Sequence, residues 1–455
     1  MSAKPNILYI FADQMRASAM GCMHDEPVQT PNLDRLAAEG VLFTHAYANT
    51  PVCTPSRASL LTGKHALSAR CIVNDLRLPE DEVSIADVLG PQGYRCGYVG
   101  KWHLDGISRH MFTPPGRRRH GFDDYWAAYN CNHNYFDPKW FEDDCAELKH
   151  AQGYDADIQT DQAIGFMERF QREPNAPDAA PWCLVLSWGP PHFPYRVVPQ
   201  QFLDMYPTEQ APLRPNAEGA DREAIAGYYA HVTAIDRDIG RLLDALDRLG
   251  LAENTIVVFS SDHGDMLWAH GRADKQQPFE ESIHIPLIIR WPGRLPAGRV
   301  EDVLIGVADH APTLLGLADV PVPASMNGTD LSGRLLGTSD DAPTSVFLAE
   351  YVSFDNGRTW QPWRGVRTAR YTYARWLQGG VLLFDNEADP YQLNNLAYQP
   401  DHEALLAELE GELQGWLTRL GDRFGSGEDH IRALGQWEEW QIRQEHFYGF
   451  GTRNF

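Results

Sequence analysis

The sequence has no apolar run of the roughly 20 residues needed to span a bilayer, no internal repeat and no low-complexity tract. Membrane-spanning and repeat architectures are therefore set aside. Basic charge is also short. Lys and Arg number 39 against 62 Asp and Glu, for a formal net charge of −23. A nucleic-acid binder would carry a basic patch, so that class falls away. The same charge imposes a condition on any anionic substrate, which would need a local cluster of cations and metal to enter. Cysteine is sparse: the seven are odd in number, irregularly spaced and without a CxxC pair. That is the pattern of a reduced cytosolic protein rather than a disulfide framework. Strand-like sequence begins at Asn6, which leaves no room for a signal peptide ahead of the fold. The expected location is the cytoplasm.

What is present is ordinary for a soluble globular chain, 43% hydrophobic and 22% charged. A length of 455 residues suits one large domain plus a smaller one. Apolar, β-branched runs recur at 6–13 (NILYIFAD), 94–100 (YRCGYVG), 182–188 (WCLVLSW), 254–261 (NTIVVFSS) and 284–291 (HIPLIIRW). Amphipathic segments lie between them, notably 30–40 and 224–250. Buried strands alternating with helices predict a doubly wound, mostly parallel α/β sheet flanked by helices over residues 1–340. Beyond that the segments SVFLAEYV, WRGVRTARYTYARWL and GGVLLFDN alternate like antiparallel strands, and a Leu/Glu/Ala-rich helix follows at about 401–420. Residues 341–455 read as a smaller C-terminal α+β domain. Its tail from Gly425 to Phe455 is dense in Trp, Phe, Tyr and His, and should pack on its own domain or on a sister subunit of a homo-oligomer.

Polar residues cluster directly after the strand-like runs. Asp13 and Gln14 end the first, Lys101 and His103 follow YRCGYVG, His192 follows WCLVLSWGPP, and Asp262 and His263 follow VVFSS. In an open parallel sheet, ligands bind outside the carboxyl ends of the strands. Four segments thus deliver Asp, Gln, Lys and His to one edge. A further element is Cys53-Thr54-Pro55-Ser56-Arg57, leading into ASLLTG. Pro55 suits a first helical turn, which places Cys53 near a helix N-terminus where negative charge is favoured. Arg57 adds a cation within one turn. On these grounds Cys53 is a candidate thiolate nucleophile.

At this point the motifs resemble a known family. CTPSR resembles the C-x-P-x-R signature of the type I sulfatases of the alkaline phosphatase superfamily. The resemblance runs on through TPNLDRLAAEGVLFTHAYA, GYVGKWHL, PPHFPY, SSDHGD and LFDNEADPYQLNNLA. It implies that a separate formylglycine-generating enzyme converts Cys53 to Cα-formylglycine. The hydrated aldehyde would attack sulfur, and the sulfated hemiacetal would collapse by loss of a proton from its second hydroxyl. Asp13, Gln14, Asp262 and His263, together with the residue at 53, resemble the ligands of one divalent metal. The oxygen donors suit Ca²⁺, and the His263 imidazole also suits Mn²⁺ or Mg²⁺. The commonest family pattern has paired Asp and then Asp-Asn at these places. The Gln14 and His263 variant resembles choline sulfatases and phosphonate monoester hydrolases. By the same resemblance Lys101 and Lys275 would hold sulfate oxygens and Arg57 would steady the formylglycine hydrate. His192 or Lys275 would protonate the leaving alcohol, and His103 would be the base for collapse. The implied substrate is a small sulfate monoester, a sulfated sugar or a simple organic sulfate. The rivals are a phosphonate or phosphate ester hydrolase using the same site, and a non-catalytic binder of sulfated ligands with Cys53 unconverted.

Single features also have plain readings. Cys22, Cys71, Cys96, Cys131, Cys145 and Cys183 read as small buried hydrophobes. His65, His133 and His270 suit either a pocket or solvent. The stretch YWAAYNCNHNYFDPKWF (125–141) suits either a sugar-binding rim or a packed insertion, and GRRRH (116–120) reads as a solvated loop or an anion collector.

Overall fold

The computed structural model describes residues 4–171, 180–352 and 361–448. Five parallel strands form the centre of a ten-stranded sheet, in the order Thr255–Ser261, Asn6–Asp13, Trp182–Pro191, Arg95–Lys101 and Tyr125–Tyr129. Every residue of Asn6–Asp13, Trp182–Pro191 and Thr255–Ser261 is buried. That is why these strands read as unbroken apolar runs: helices cover both faces, so alternation has no function. Ile7, Tyr9 and Phe11 enter one apolar cluster and Leu8, Ile10 and Ala12 the other. Burying each large side chain in these layers contributes about 1.5–3 kcal/mol before the entropy of ordering is set against it.

The sheet is mixed at its margins. Leu287–Arg290 runs antiparallel to Thr255–Ser261 and is flanked by Val41–Phe43 and Arg299–Glu301. On the other side Lys139–Glu142 and Cys145–His150 form an antiparallel hairpin. Its outer strand is largely exposed and carries Glu147, Lys149 and His150, the charged character that keeps an edge from pairing further. Tyr125–Tyr129 is thus part of the sheet, so the aromatic stretch is partly core.

The long helix Arg222–Arg248 is capped by Asp221, whose side chain accepts from the N–H groups of Glu223 and Ala224. It also caps a neighbour. Asp236 accepts from the N–H groups of Asn32 and Leu33 at 3.1 and 2.7 Å, satisfying the open N-terminus of helix Pro31–Glu39.

Beyond the large sheet, Ser345–Glu350, Trp363–Thr368, Tyr371–Trp376 and Val381–Asp385 form an antiparallel four-stranded sheet. Helix Glu403–Leu420 packs on it through Leu409, Leu413, Trp416 and Leu417. A fully buried pair, Arg364 with Asp422, ties the second strand to the chain that follows this helix. Helices Gly427–Ala433 and Trp437–Tyr448 then return to the large unit, where Ile431 and Trp440 join Ile72, Val73 and Leu76 in one cluster. The described part of the aromatic tail therefore docks on its own chain; residues 449–455 lie outside the described residues.

Several plain readings need correction. Cys145 is exposed and Cys22 half-buried, because each sits on an edge or a short surface turn rather than in a layer. His65 is neither in the pocket nor in solvent: it is buried between Phe347 and Trp416. In GRRRH, Arg117 pairs with Asp87, Arg118 with Asp105, and Arg119 lies buried over Trp126. Those arginines hold loops to the sheet. No helix among the described residues is long and apolar enough to cross a membrane.

Candidate active site

The parallel register sets Ala12 beside Ser261, so the residues that leave these two strands, Asp13 and Asp262, emerge side by side. Both are wholly buried. Two carboxylates so placed require counter-charge. Arg57 supplies it, with Nε donating to Asp262 Oδ2 at 3.0 Å and Nη2 to Asp13 Oδ2 at 3.1 Å. Its Nη1 donates to the Lys101 carbonyl and to Ser187 Oγ, each at 2.7 Å. Lys101 Nζ also donates to Asp13 Oδ2. Burial pushes the Asp13 carboxyl up, but the Lys101 and Arg57 charges outweigh it and hold it well below the usual range. Asp262 is pushed the other way, by burial and by Asp13 itself.

Helix Cys53–Thr62 points its first turn at this pair. No side chain caps it at Val52; instead the Thr54 N–H donates to Asn74 Oδ1 at 2.8 Å. Cys53 Sγ lies 3.8 Å from Asp13 Oδ1, 3.3 Å from His263 Nε2 and 4.0 Å from Lys101 Nζ. Burial and Asp13 raise the thiol, while Lys101, Lys275 and His263 lower it and prevail, leaving it well below its ordinary value. The site favours an anion at this position.

Lys275 arrives from the irregular segment after the Asp262 strand. Its Nζ donates to Gln14 Oε1 at 2.6 Å and meets His192 Nε2 at 2.9 Å. His192 Nδ1 is 2.8 Å from the Phe193 carbonyl, so that nitrogen carries the proton and Nε2 accepts from Lys275. Burial and then the Lys275 charge hold His192 well below its ordinary pKa. His103 adopts a left-handed backbone (φ 55°), and its Nε2 meets Asp75 Oδ1 at 3.0 Å. Asp75 also adopts positive φ and takes both Nε and Nη2 of Arg109 at 2.9 Å. The structure therefore gathers Asp13, Gln14, Cys53, Arg57, Lys101, His103, His192, Asp262, His263 and Lys275 at one end of the central strands. Arg57 bridges the two carboxylates.

Other residues of the site had weaker signals. Asp75 had none, since VNDLRLP carries neither periodicity nor a motif. Cys131, read as inert, has its Sγ 3.3 Å from His133 Nε2. Burial raises its thiol, but Lys101, His103 and His133 bring it well below the ordinary value. His133 stacks on His192 with ring centroids 4.1 Å apart. Tyr195 and Asp265 stood inside PPHFPY and SSDHGD, where only the His and the first Asp-His had been singled out.

The donors fit a divalent metal. One ligand atom each from Asp13, Cys53, Asp262 and His263 lie within 4.8 Å of one another, all buried. His263 Nδ1 is tied to the Gly264 carbonyl at 3.0 Å, which turns the Nε2 lone pair toward the cluster. Nε2 stands 3.7 Å from Asp13 Oδ1 and 3.6 Å from Asp262 Oδ1, convergent but too long for good hydrogen bonds.

A family model described as Sulfatase matches residues 5–320, about two thirds of the chain. The chain belongs to the sulfatase family. It is a sulfuric ester hydrolase. A second model, described as N-sulphoglucosamine sulphohydrolase, C-terminal, matches residues 269–418 of this sulfatase. The ulvan-active sulfatase of Formosa agariphila is 42% identical over 436 residues, covering 94% of this chain and 84% of that protein. A solved structure described in complex with its substrate D-glucosamine-2-N,6-O-disulfate superposes with a TM-score of 0.82 at 25% identity, covering 92% of this chain and 99% of that one. The phosphonate monoester hydrolase of Agrobacterium radiobacter shares the fold, with a TM-score of 0.74 at 23% identity and 91% and 96% coverage. Family membership implies a bound metal and a formylglycine made from a cysteine, and Cys53 is part of the buried group that could hold a metal.

Proposed function

We propose that this sulfatase hydrolyses sulfate esters of small or already depolymerised carbohydrates at the site around Cys53. The observation that carries the reading is the buried Asp13, Cys53, Asp262 and His263 cluster, ringed by Arg57, Lys101 and Lys275. A carbohydrate substrate is supported by the names of the relatives above. The formylglycine derived from Cys53 supplies a nucleophile that regenerates itself. Asp13, Gln14, Asp262 and His263 would hold the metal, Ca²⁺ in first place and Mn²⁺ or Mg²⁺ after it. That ion supplies charge stabilisation on the sulfate and lowers the pKa of a bound hydroxyl.

The chain's own residues take the remaining roles. Lys101 and Lys275 present point charges to sulfate oxygens from two sides. They answer the barrier that a net charge of −23 sets to an anion. His192 is neutral and accepts from Lys275, so Lys275 is the charged member of that pair, and a proton for the leaving alcohol passes through it. His103, oriented by Asp75, is the base. Arg57 acts through the carboxylates it joins. We assign this chemistry to residues 1–340, with residues 341–455 as a supporting domain. The cytoplasmic reading continues to rest on the cysteine pattern, and the homo-oligomer reading on the aromatic tail.

Two measurements test the function. Mass spectrometry of the Cys53 peptide, from the native host or after co-expression with a formylglycine-generating enzyme, should show the aldehyde; only unmodified Cys without turnover would leave a binder. Rates on 4-nitrophenyl sulfate, 4-nitrophenyl phosphate and a phenylphosphonate ester should favour sulfate. A phosphonate rate far above the sulfate rate would overturn the assignment.

A further inference from the structure

The Gln14 carboxamide is held at both ends. Its Oε1 accepts from Lys275 Nζ at 2.6 Å, and its Nε2 donates to Asp265 Oδ2 at 2.7 Å. Asp265 is wholly buried and is met by donors on each side. Tyr195 OH donates to the same Oδ2 at 2.7 Å, and the backbone N–H of Leu267 donates to Oδ1 at 3.0 Å. The two ends of an amide have nearly the same shape and are told apart by their partners. Here a carboxylate takes the nitrogen end, so the oxygen end is turned to Lys275. Gln14 has little other freedom: its backbone is left-handed (φ 69°) and its N–H is bound to Asp262 Oδ1 at 3.0 Å.

We propose that Asp265 is a positioning residue that fixes the polarity of the Gln14 amide and so makes position 14 an oxygen donor to the metal. This rests on the reading of Gln14 as a metal ligand. It explains how an amide can stand where the commoner family pattern has a carboxylate. A carboxylate offers oxygen whichever way it turns, whereas an amide must be held, and Asp265 and Lys275 hold it from opposite ends.

The substitution Asp265→Asn separates polarity from shape. The new amide nitrogen cannot sit at the Oδ1 position, because the Leu267 N–H is part of the backbone and cannot turn away. It falls at the Oδ2 position, where the Tyr195 hydroxyl can rotate and the Gln14 amide can flip. Gln14 then gives its oxygen to the new donor and its nitrogen to Lys275 and the metal, which sets donor against donor.

The test is metal binding, which needs no turnover. The full chain, stripped with a chelator, is titrated with Ca²⁺ and separately with Mn²⁺ by calorimetry, and retained metal is counted by elemental mass spectrometry. Asp265→Asn should weaken binding by about tenfold or more. Gln14→Glu alone should also weaken it, because its carboxylate would face that of Asp265. The double substitution Gln14→Glu with Asp265→Asn should restore binding to near the wild-type level, since the new amide donates and the carboxylate offers oxygen to the metal. A merely structural role for Asp265 would give no rescue. Wild-type affinity in Asp265→Asn, or a double variant that fails to fold or to bind, overturns the proposal. Gln14→Leu keeps the two readings apart. Unchanged metal affinity there removes Gln14 from the ligand set; a loss there with none in Asp265→Asn removes only the positioning role. If Asp265→Asn does not fold alone, Gln14→Glu against the double variant decides by the same rescue.

Discussion

Replacing Asp75 by Asn should slow turnover far more than it unsettles the fold. The carboxylate is 1% exposed and serves three cations or potential cations. Oδ1 accepts from His103 Nε2 at 3.0 Å and from Arg109 Nε at 2.9 Å. Oδ2 accepts from Arg109 Nη2 at 2.9 Å and stands 3.6 Å from Arg443 Nη2. Asn has the same outline but one oxygen, and both edges of the acid face N–H groups of Arg109. One of those bonds is lost in either orientation. If the new NH₂ faces His103, the imidazole must change tautomer to accept from it. Removing one member of a buried pair costs about 3–5 kcal/mol, which in a chain of this size lowers Tm by only a few degrees. A base turned by even an ångström costs about 10²-fold in rate. The expected result is kcat down by about 10²-fold, KM changed much less, and a modest fall in Tm. The assay is steady-state kinetics on an aryl sulfate and on a sulfated sugar, with calorimetry on the same preparations. If Tm falls as stated while kcat stays within about twofold, far short of the misplacement cost, Asp75 is structural and His103 is not the base.

Three further outcomes follow from the packing. A Cβ on Gly264 would lie 2.0 Å from the Glu281 carbonyl, so Gly264→Ala should displace His263 and abolish metal binding, read by elemental analysis of the purified chain. Burial pushes the Glu350 carboxyl up to about 8. A raised folded-state pKa gives stability that is full below the ordinary value near 4.5 and is lost as pH rises to about 8, so Glu350→Gln should flatten the stability profile over that window. The change should be on the order of 5 kcal/mol by denaturant titration; a profile identical to wild type would refute it. Asp422→Asn leaves the wholly buried Arg364 without its counter-ion and should cost about 3–5 kcal/mol, seen first as faster proteolysis of the C-terminal helices.

Much of the site was legible because buried parallel strands write themselves as apolar runs and ligands gather where those runs end. Asp13, Lys101 and Asp262 needed nothing more than that. Lys275 lies in no regular element, and only the family resemblance pointed to it. Asp75 was invisible because its position depends on a left-handed backbone in a segment without periodicity, and on Arg443 far along the chain. Cys131 and His133 were hidden by a composition that suited rim and core equally: Tyr129 continues a strand and Tyr135 is buried, while His133 stacks on His192. The bridge made by Arg57 could not be seen in the sequence, since it depends on Asp13 and Asp262 emerging side by side. A guanidinium can span two carboxylates, and here it does.

The return of the last helix to residues 70–77 has a consequence in time. Arg443 Nε donates to the Asn74 carbonyl, 369 residues earlier, and Asn74 in turn caps the helix that begins at Cys53. At a synthesis rate of about 5–20 residues per second, roughly 20–75 s separate the emergence of Asn74 from that of its brace. In the finished fold Cys53, the first residue of that helix, is 1% exposed. The cap on the Cys53 helix is therefore braced late: Asn74 gains its Arg443 contact only after some 369 further residues have been made.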